Sequence, residues 1–88
     1  MLEQVREVLS SALHLGPRGL RLTAQSELLG QLPELDSMAV VTLVQALEQR
    51  FGFVIDDDEI SADLFSTLGT LTAFVQRKAA ATAAQDRA

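Results

Sequence analysis

Cysteine is missing from this 88-residue sequence, and so are tryptophan and tyrosine. Without cysteine the chain can form no disulfide, thiolate-bound zinc site, iron–sulfur cluster or catalytic thiol. Its four phenylalanines are the only rings on which nucleic-acid bases could stack. Hydrophobic residues nevertheless make up 48% of the sequence and charged residues 22%, which is typical of one small globular domain.

Positive charge is scarce in the middle of the chain. Between Glu27 and Asp63 there are nine acidic residues and one basic residue, Arg50, whereas the whole chain has a net charge of −5. Such a stretch repels phosphate backbones and anionic lipids, and it attracts basic protein surfaces. We therefore expect partners with basic surfaces and no nucleic-acid partner.

The first residues do not match the pattern of a secretory signal, and the sequence has no long apolar run. Glu3 and Glu7 stand where a secretory signal has a basic start and an apolar stretch. The longest strongly apolar segment, residues 38–44, is too short to span a bilayer. We expect a cytoplasmic protein without membrane insertion, and a monomer because no self-association surface is evident beyond the core stripe.

Apolar residues at helical spacing predict three long helices. The first ends at Gly16-Pro17, the second begins at the N-cap Asp36 and ends at Gly52, and the last begins near residues 67–69. Their apolar stripes consist of Leu2, Val5, Leu9, Ala12 and Leu13 in the first helix, Val40, Val41, Leu43, Val44, Leu47 and Phe51 in the second, and Leu68, Leu71, Phe74 and Val75 in the last.

Shorter elements are predicted between and beyond these helices. Residues 26–29 could form one helical turn, and Phe53-Val54-Ile55 is interpreted as an extended loop on the core because a lone strand has no pairing partner. Acids in residues 56–63 could cap one short helix before the last. The Ala-rich residues 79–88 are predicted to be a frayed or disordered tail beyond a domain of residues 1–78. The sequence thus predicts an all-α bundle of three long helices plus one short helix before the last.

The sequence lacks the residue constellations of an enzyme. His14 is the sole imidazole, and at the end of the first helix it is expected to interact with the helix dipole or to be solvated. No glycine-rich nucleotide loop occurs. The acidic run Asp56-Asp57-Asp58-Glu59 fails the EF-hand template, because Ile60 takes a ligand position and Ser61 the glycine position. We therefore expect neither catalysis nor a metal site.

Ser37 is the remaining candidate for chemistry. Alone, an Asp-Ser pair at a helix start is a cap. Here the apolar loop of residues 28–35 leads into Asp36-Ser37-Met38. Further segments follow in order: Leu43-Val44, Ala46-Leu47-Glu48, Phe51-Gly52, Ile55 with the acidic run, and Thr67-Leu68-Gly69. This ordered set, over residues 2–77, closely resembles the acyl carrier protein family, including the carrier domains of polyketide and peptide synthases.

The resemblance implies a carrier with a role in fatty-acid or lipid biosynthesis. Ser37 matches the serine to which a phosphopantetheinyl transferase attaches 4′-phosphopantetheine from coenzyme A, and Asp36 matches the flanking acid. Further implied partners are an acyl-loading ligase or synthase and acyl acceptor enzymes. The residues expected to recognise partners are Asp36, Met38, Glu48, Asp56, Asp57, Asp58 and Glu59. The residues expected to surround an acyl chain are Val5, Leu9, Val41, Val44, Leu47, Ile55, Leu64, Phe65, Leu68, Leu71 and Phe74.

Two features depart from the carriers of fatty-acid synthesis. Ala39 and Thr42 stand where those carriers usually have acids, and Arg50 adds a base to the second helix. Residues 33–41 and 51–61 instead look like carriers that accompany bacterial exopolysaccharide and exosortase clusters. An alternative hypothesis is an unmodified acidic helical module that binds a protein partner.

Overall fold

The computed structural model describes the backbone of residues 1–86 and the side chains of residues 1–82. Within this part the fold is all-helical, as the sequence predicts, and the three long helices are present. The α-helices are α1 (Leu2–Leu13), α2 (Pro17–Leu20), α3 (Ser37–Phe51) and α4 (Leu68–Asp86). Two 3-10 turns, Asp57–Glu59 and Asp63–Phe65, stand where one short helix was predicted.

The hydrophobic core lies between α1, α3 and α4, and α1 packs against both of the others. Leu9, Leu47 and Leu71, one from each helix, are almost completely buried. Burial of each such side chain contributes about 1.5–3 kcal/mol to the free energy of folding. Val8 is buried as well, so the apolar face of α1 is wider than its sequence stripe.

The end of α1 differs from the expectation. The helix ends at Leu13, before Gly16-Pro17 is reached, and its C-cap His14 is exposed and adopts a left-handed conformation with φ 56°. Pro17 instead begins α2, because its fixed φ suits the first position of a helix. A Cβ atom on Gly19 would overlap Ser10 Oγ, so glycine allows α2 to lie directly on α1.

The loop between α2 and α3 is held by the segment that precedes α4. Residues 26–29 do not form the helical turn that was considered; Glu27 instead forms an isolated antiparallel bridge with Thr67. The Leu28 N–H donates to the Ser66 carbonyl at 3.0 Å, and the Leu68 N–H donates to the Ser26 carbonyl at 3.0 Å. These pairings are favoured because an isolated helical turn orders several residues for one hydrogen bond.

Residues 53–55 form the predicted extended loop on the core. Phe53 and Ile55 are buried, whereas Val54 between them is 71% exposed. The rings of Phe51 and Phe53 stack with their centroids 6.0 Å apart. The alternation places two side chains of this segment in the core without a strand partner.

The last helix is longer than its apolar stripe. α4 continues to Asp86, through most of the Ala-rich residues 79–88, and Ala79 packs against the core. Alanine has the highest intrinsic helix propensity, which explains a helix without apolar periodicity. Arg87 and Ala88 lie outside the described residues. No helix in the described part is both long enough and apolar enough to cross a membrane.

Candidate functional site

Ser37 is the first residue of α3, and Asp36 is its N-cap, as the sequence predicts. Asp36 has extended backbone angles, and its Oδ1 accepts a hydrogen bond from Ala39 N at 2.8 Å. The Asp36 carbonyl accepts the first helical hydrogen bond from Val40 N at 2.9 Å. Because Asp36 performs the capping, Ser37 Oγ is not required for it. Ser37 is exposed, and its hydroxyl takes part in none of the side-chain hydrogen bonds found among residues 1–82.

The surroundings of the Ser37 hydroxyl suit an anionic group. The N–H groups of Ser37 and Met38 precede the first helical hydrogen bond of this 15-residue helix. Unpaired N–H groups and the positive end of the helix dipole favour phosphate at such a position. The cofactor that the sequence implies is attached through a phosphodiester, and the donors present here fit it.

The loop that leads to Ser37 is tied to α2 by an ion pair that the sequence did not reveal. Arg18 Nη2 on α2 donates to Glu34 Oε2, three residues before Ser37. Leu35, between Glu34 and the N-cap, is buried in the core. The segment that leads into α3 is therefore held by the ion pair of Glu34 and by the packing of Leu35 in the core. A spacing of 16 residues carries no periodic signal that could have predicted this pair.

Apolar surface continues from Ser37 along α3. Met38 is 77% exposed and Val41 is 53% exposed. One turn beyond Ser37, a groove of about 240 Å³ opens between α3 and the first 3-10 turn; we call it the α3 groove. It is lined by Val40, Val41, Val44, Gln45, Glu48, Ile55, Asp57 and Ile60.

The predicted acyl-pocket residues are divided between the α3 groove and the core. Val41 lies on the exposed rim of the α3 groove. Val44 and Ile55 are brought together in this groove, and Val40 and Ile60 join them although they were not in the predicted pocket. The other predicted pocket residues are buried in the core: Val5, Leu9, Leu47, Leu64, Phe65, Leu68, Leu71 and Phe74.

The acids predicted to recognise partners fall into two groups. Asp36, Asp56, Asp57 and Asp58 are exposed. Glu48 and Glu59 are half-buried and accept hydrogen bonds from backbone N–H groups, a role that the sequence did not indicate. Glu48 Oε2 accepts from Ile55 N at 2.8 Å, and Glu59 Oε1 accepts from Asp56 N at 2.9 Å.

Glu59 also forms an ion pair with α4. Lys78 Nζ donates to Glu59 Oε1 at 3.0 Å. The hydrogen bond from the Asp56 backbone, and then Lys78, hold the pKa of the Glu59 carboxyl below its usual value of 4.5. Within the described residues, no three or more His, Asp or Glu side chains are grouped so that they could hold a metal ion.

Comparison with known proteins agrees with this arrangement. The family described as "Phosphopantetheine attachment site" matches residues 3–75. A holo acyl carrier protein from Nitrosomonas europaea, solved by NMR in solution, is 58% identical and superposes with a TM-score of 0.83. That match covers 88% of this chain and 93% of the other. No match was found among curated proteins.

The fold and the family match define a carrier domain with a phosphopantetheine attachment site. The chain belongs to the acyl carrier protein family. Proteins of this family are carriers and not enzymes, which confirms that reading of the sequence.

Proposed function

We propose that this chain carries acyl groups as thioesters on 4′-phosphopantetheine attached to Ser37 Oγ. The observation that carries the proposal is the exposed Ser37 hydroxyl at the start of α3, inside the part of the chain that matches the attachment-site family. When attached, the group supplies the thiol that the cysteine-free chain lacks.

The residues around Ser37 have separate roles in this proposal. The N–H groups of Ser37 and Met38 hold the phosphate at the start of the helix. Asp36 keeps α3 capped, so that these donors stay oriented toward the attached group. The exposed side chains of Met38 and Val41 offer apolar contact along the way to the α3 groove.

The α3 groove is the proposed site for the first part of an acyl chain. Val40, Val44, Ile55 and Ile60 give it apolar walls. Each methylene that moves from water into such an environment contributes about 0.8 kcal/mol. The groove therefore shelters an acyl chain at equilibrium while leaving it within reach of a partner enzyme.

The exposed acids point to basic partner surfaces. Asp36 lies beside Ser37, and Asp57 lines the α3 groove. Opposite charges steer a partner toward this face and raise the association rate more than the affinity. The proposed partners are a phosphopantetheinyl transferase, an acyl-loading ligase or synthase, and acyl acceptor enzymes.

The similarity of residues 33–41 and 51–61 to carriers of exopolysaccharide and exosortase clusters favours a dedicated set of partners. We further propose that the protein acts as a cytoplasmic monomer.

Intact-mass spectrometry tests the attachment directly. The full chain is incubated with coenzyme A and a broad-specificity phosphopantetheinyl transferase, and the mass of one phosphopantetheine is expected to appear. Ser37→Ala should gain none, whereas Ser61→Ala, at another exposed serine, should gain as much as the wild type. No added mass, or added mass that persists in Ser37→Ala, would contradict the proposal. An unmodified interaction module instead predicts that Ser37→Ala retains partner binding and biological activity.

A further inference from the structure

The first 3-10 turn forms a wall of the α3 groove without being anchored in the core. None of its three residues is buried, whereas the second turn contributes Leu64 and Phe65 to the core. Asp57 from the first turn and Ile60, directly after it, line the α3 groove. Ile60 is half-buried and packs against the core, so it anchors one end of this wall, whereas the three residues of the turn itself add no buried side chain.

There is open space on the other side of the same segment. A second groove of about 320 Å³ separates it from α4, and Glu59, Leu64 and Phe74 are among the residues that line it. The segment of residues 56–60 thus lies between two grooves. A contact from this segment to α4 therefore restricts its position.

Glu59 makes such a contact. Its Oε1 accepts from Asp56 N at 2.9 Å, which closes the turn, and from Lys78 Nζ at 3.0 Å, which ties the turn to α4. Four consecutive acids repel one another here, and in the described side chains Lys78 is the base paired with them. The charged residues that line the second groove are Glu59, Asp63 and Arg77.

We propose that the ion pair between Glu59 and Lys78 is a clasp that sets the width of the α3 groove and thereby how firmly an acyl chain is held. This inference rests on the proposed carrier function. A cavity of about 150 Å³ accommodates benzene, so by proportion the α3 groove has room for on the order of ten carbon atoms. With the clasp open, the wall that carries Ile60 moves away from Val40 and Val44, and the chain loses contacts.

Four variants separate the clasp from general charge effects. Lys78→Gln and Glu59→Gln each remove the ion pair, and the glutamine at position 59 keeps an oxygen that can accept from Asp56 N. Arg77→Gln is the matched control, because it removes the same charge from the neighbouring residue, which forms none of the ion pairs found in the described residues. Lys78→Arg keeps the charge and should behave like the wild type.

Each protein is converted to its holo form, loaded with an octanoyl group, and treated with hydroxylamine, which releases the acyl group as a hydroxamate. We expect release to be about threefold faster in Lys78→Gln and Glu59→Gln, the size of effect given by a partly exposed ion pair. Arg77→Gln should match the wild type. High salt should accelerate release in the wild type but not in Lys78→Gln, because salt screens the ion pair.

Amide hydrogen exchange at Ile60 in the unmodified chain gives a second readout that requires no acyl group. Exchange should be about threefold faster in Lys78→Gln than in Arg77→Gln, since opening of the turn exposes this N–H, which donates to the Asp57 carbonyl. Equal exchange or equal release rates in the two variants would overturn the clasp. Failure of every variant to accept phosphopantetheine would overturn the proposed function and the acyl-holding role with it.

Discussion

The Gly69 N–H donates to the Ala24 carbonyl at 2.8 Å, and a Cβ atom on Gly69 would also lie 2.8 Å from that oxygen. Backbone from the loop before α3 therefore touches the first turn of α4 where a side chain would intervene. The bridge between Glu27 and Thr67 lies beside this contact. Gly69, the last residue of the Thr67-Leu68-Gly69 segment, is thus needed for close approach and not for a special backbone angle.

Gly69→Ala is expected to destabilise the protein by about 1–3 kcal/mol, because the added methyl group displaces the Ala24 backbone. Urea denaturation followed by circular dichroism measures the change. Ala24→Gly should not restore stability in the double variant, since the obstructing atom is a backbone oxygen. Full rescue by Ala24→Gly would show that the contact is with the side chain instead.

Two substitutions of Asp36 can separate the effect of its capping hydrogen bond from the effect of its negative charge. Asp36→Ala removes the hydrogen bond to Ala39 N and should lower the free energy of unfolding by about 1 kcal/mol. Asp36→Asn retains an oxygen for the cap and should be close to the wild type in stability. If the Asp36 charge also recruits the transferase, Asp36→Asn should slow modification of Ser37 without loss of stability. A large loss of stability in Asp36→Asn would contradict the assigned cap.

Val44 and Val41 are matched residues on α3 with different exposures, 8% and 53%. Val44→Asp places a carboxylate against the core and is expected to destabilise by several kcal/mol, enough to unfold a small domain. Val41→Asp should change stability by about 0.5 kcal/mol or less, because the new carboxylate stays in water. Thermal melting of the two variants checks this. Cooperative melting of Val44→Asp near the wild-type temperature would show that this face of α3 is wrongly assigned.

Glu59 should make stability depend on pH in the acidic range. Its folded-state pKa is lowered from 4.5, so its stabilising contribution is present above 4.5 and is lost as the pH falls through the lowered pKa. Comparing the wild type with Glu59→Gln from pH 6 downward isolates this residue from Asp56, Asp57, Asp58 and Asp63. The stability difference should shrink below about pH 4.5. A difference that stays constant with pH would contradict the lowered pKa.

Local patterns in the sequence were sufficient for much of the fold. Asp36 as an N-cap, Gly52 as the end of α3 and the apolar stripes of the long helices are set by neighbours within about four residues. Residues 53–55 were placed on the core for a different reason, since an apolar run without a pairing partner cannot form a strand. Residues 26–29 were not predictable in this way, because their hydrogen bonds go to a segment some 40 residues later in the chain.

The candidate site likewise has features that local sequence patterns predict and features that they do not. Ser37 and its capped helix start were recognisable from an ordered set of short segments, since each segment encodes a local turn or helix boundary. By contrast, spacing alone could not distinguish Val41 on the rim from Val40 and Val44 within the α3 groove. Which of these valines is on the rim and which is within the groove depends on the side of α3 at which the first 3-10 turn lies.

The sequence alone determined that this protein is a small helical bundle with a serine at a capped helix start, because capping and amphipathicity are interactions between near neighbours. Only the folded arrangement decided which charges are engaged in pairs and which face outward. Arg18 meets Glu34, and Lys78 meets Glu59, across separations of 16 and 19 residues. Pairs so distant in the chain form only when packing of the apolar helix faces brings their elements together, so tertiary structure sets the shape of the groove beside Ser37.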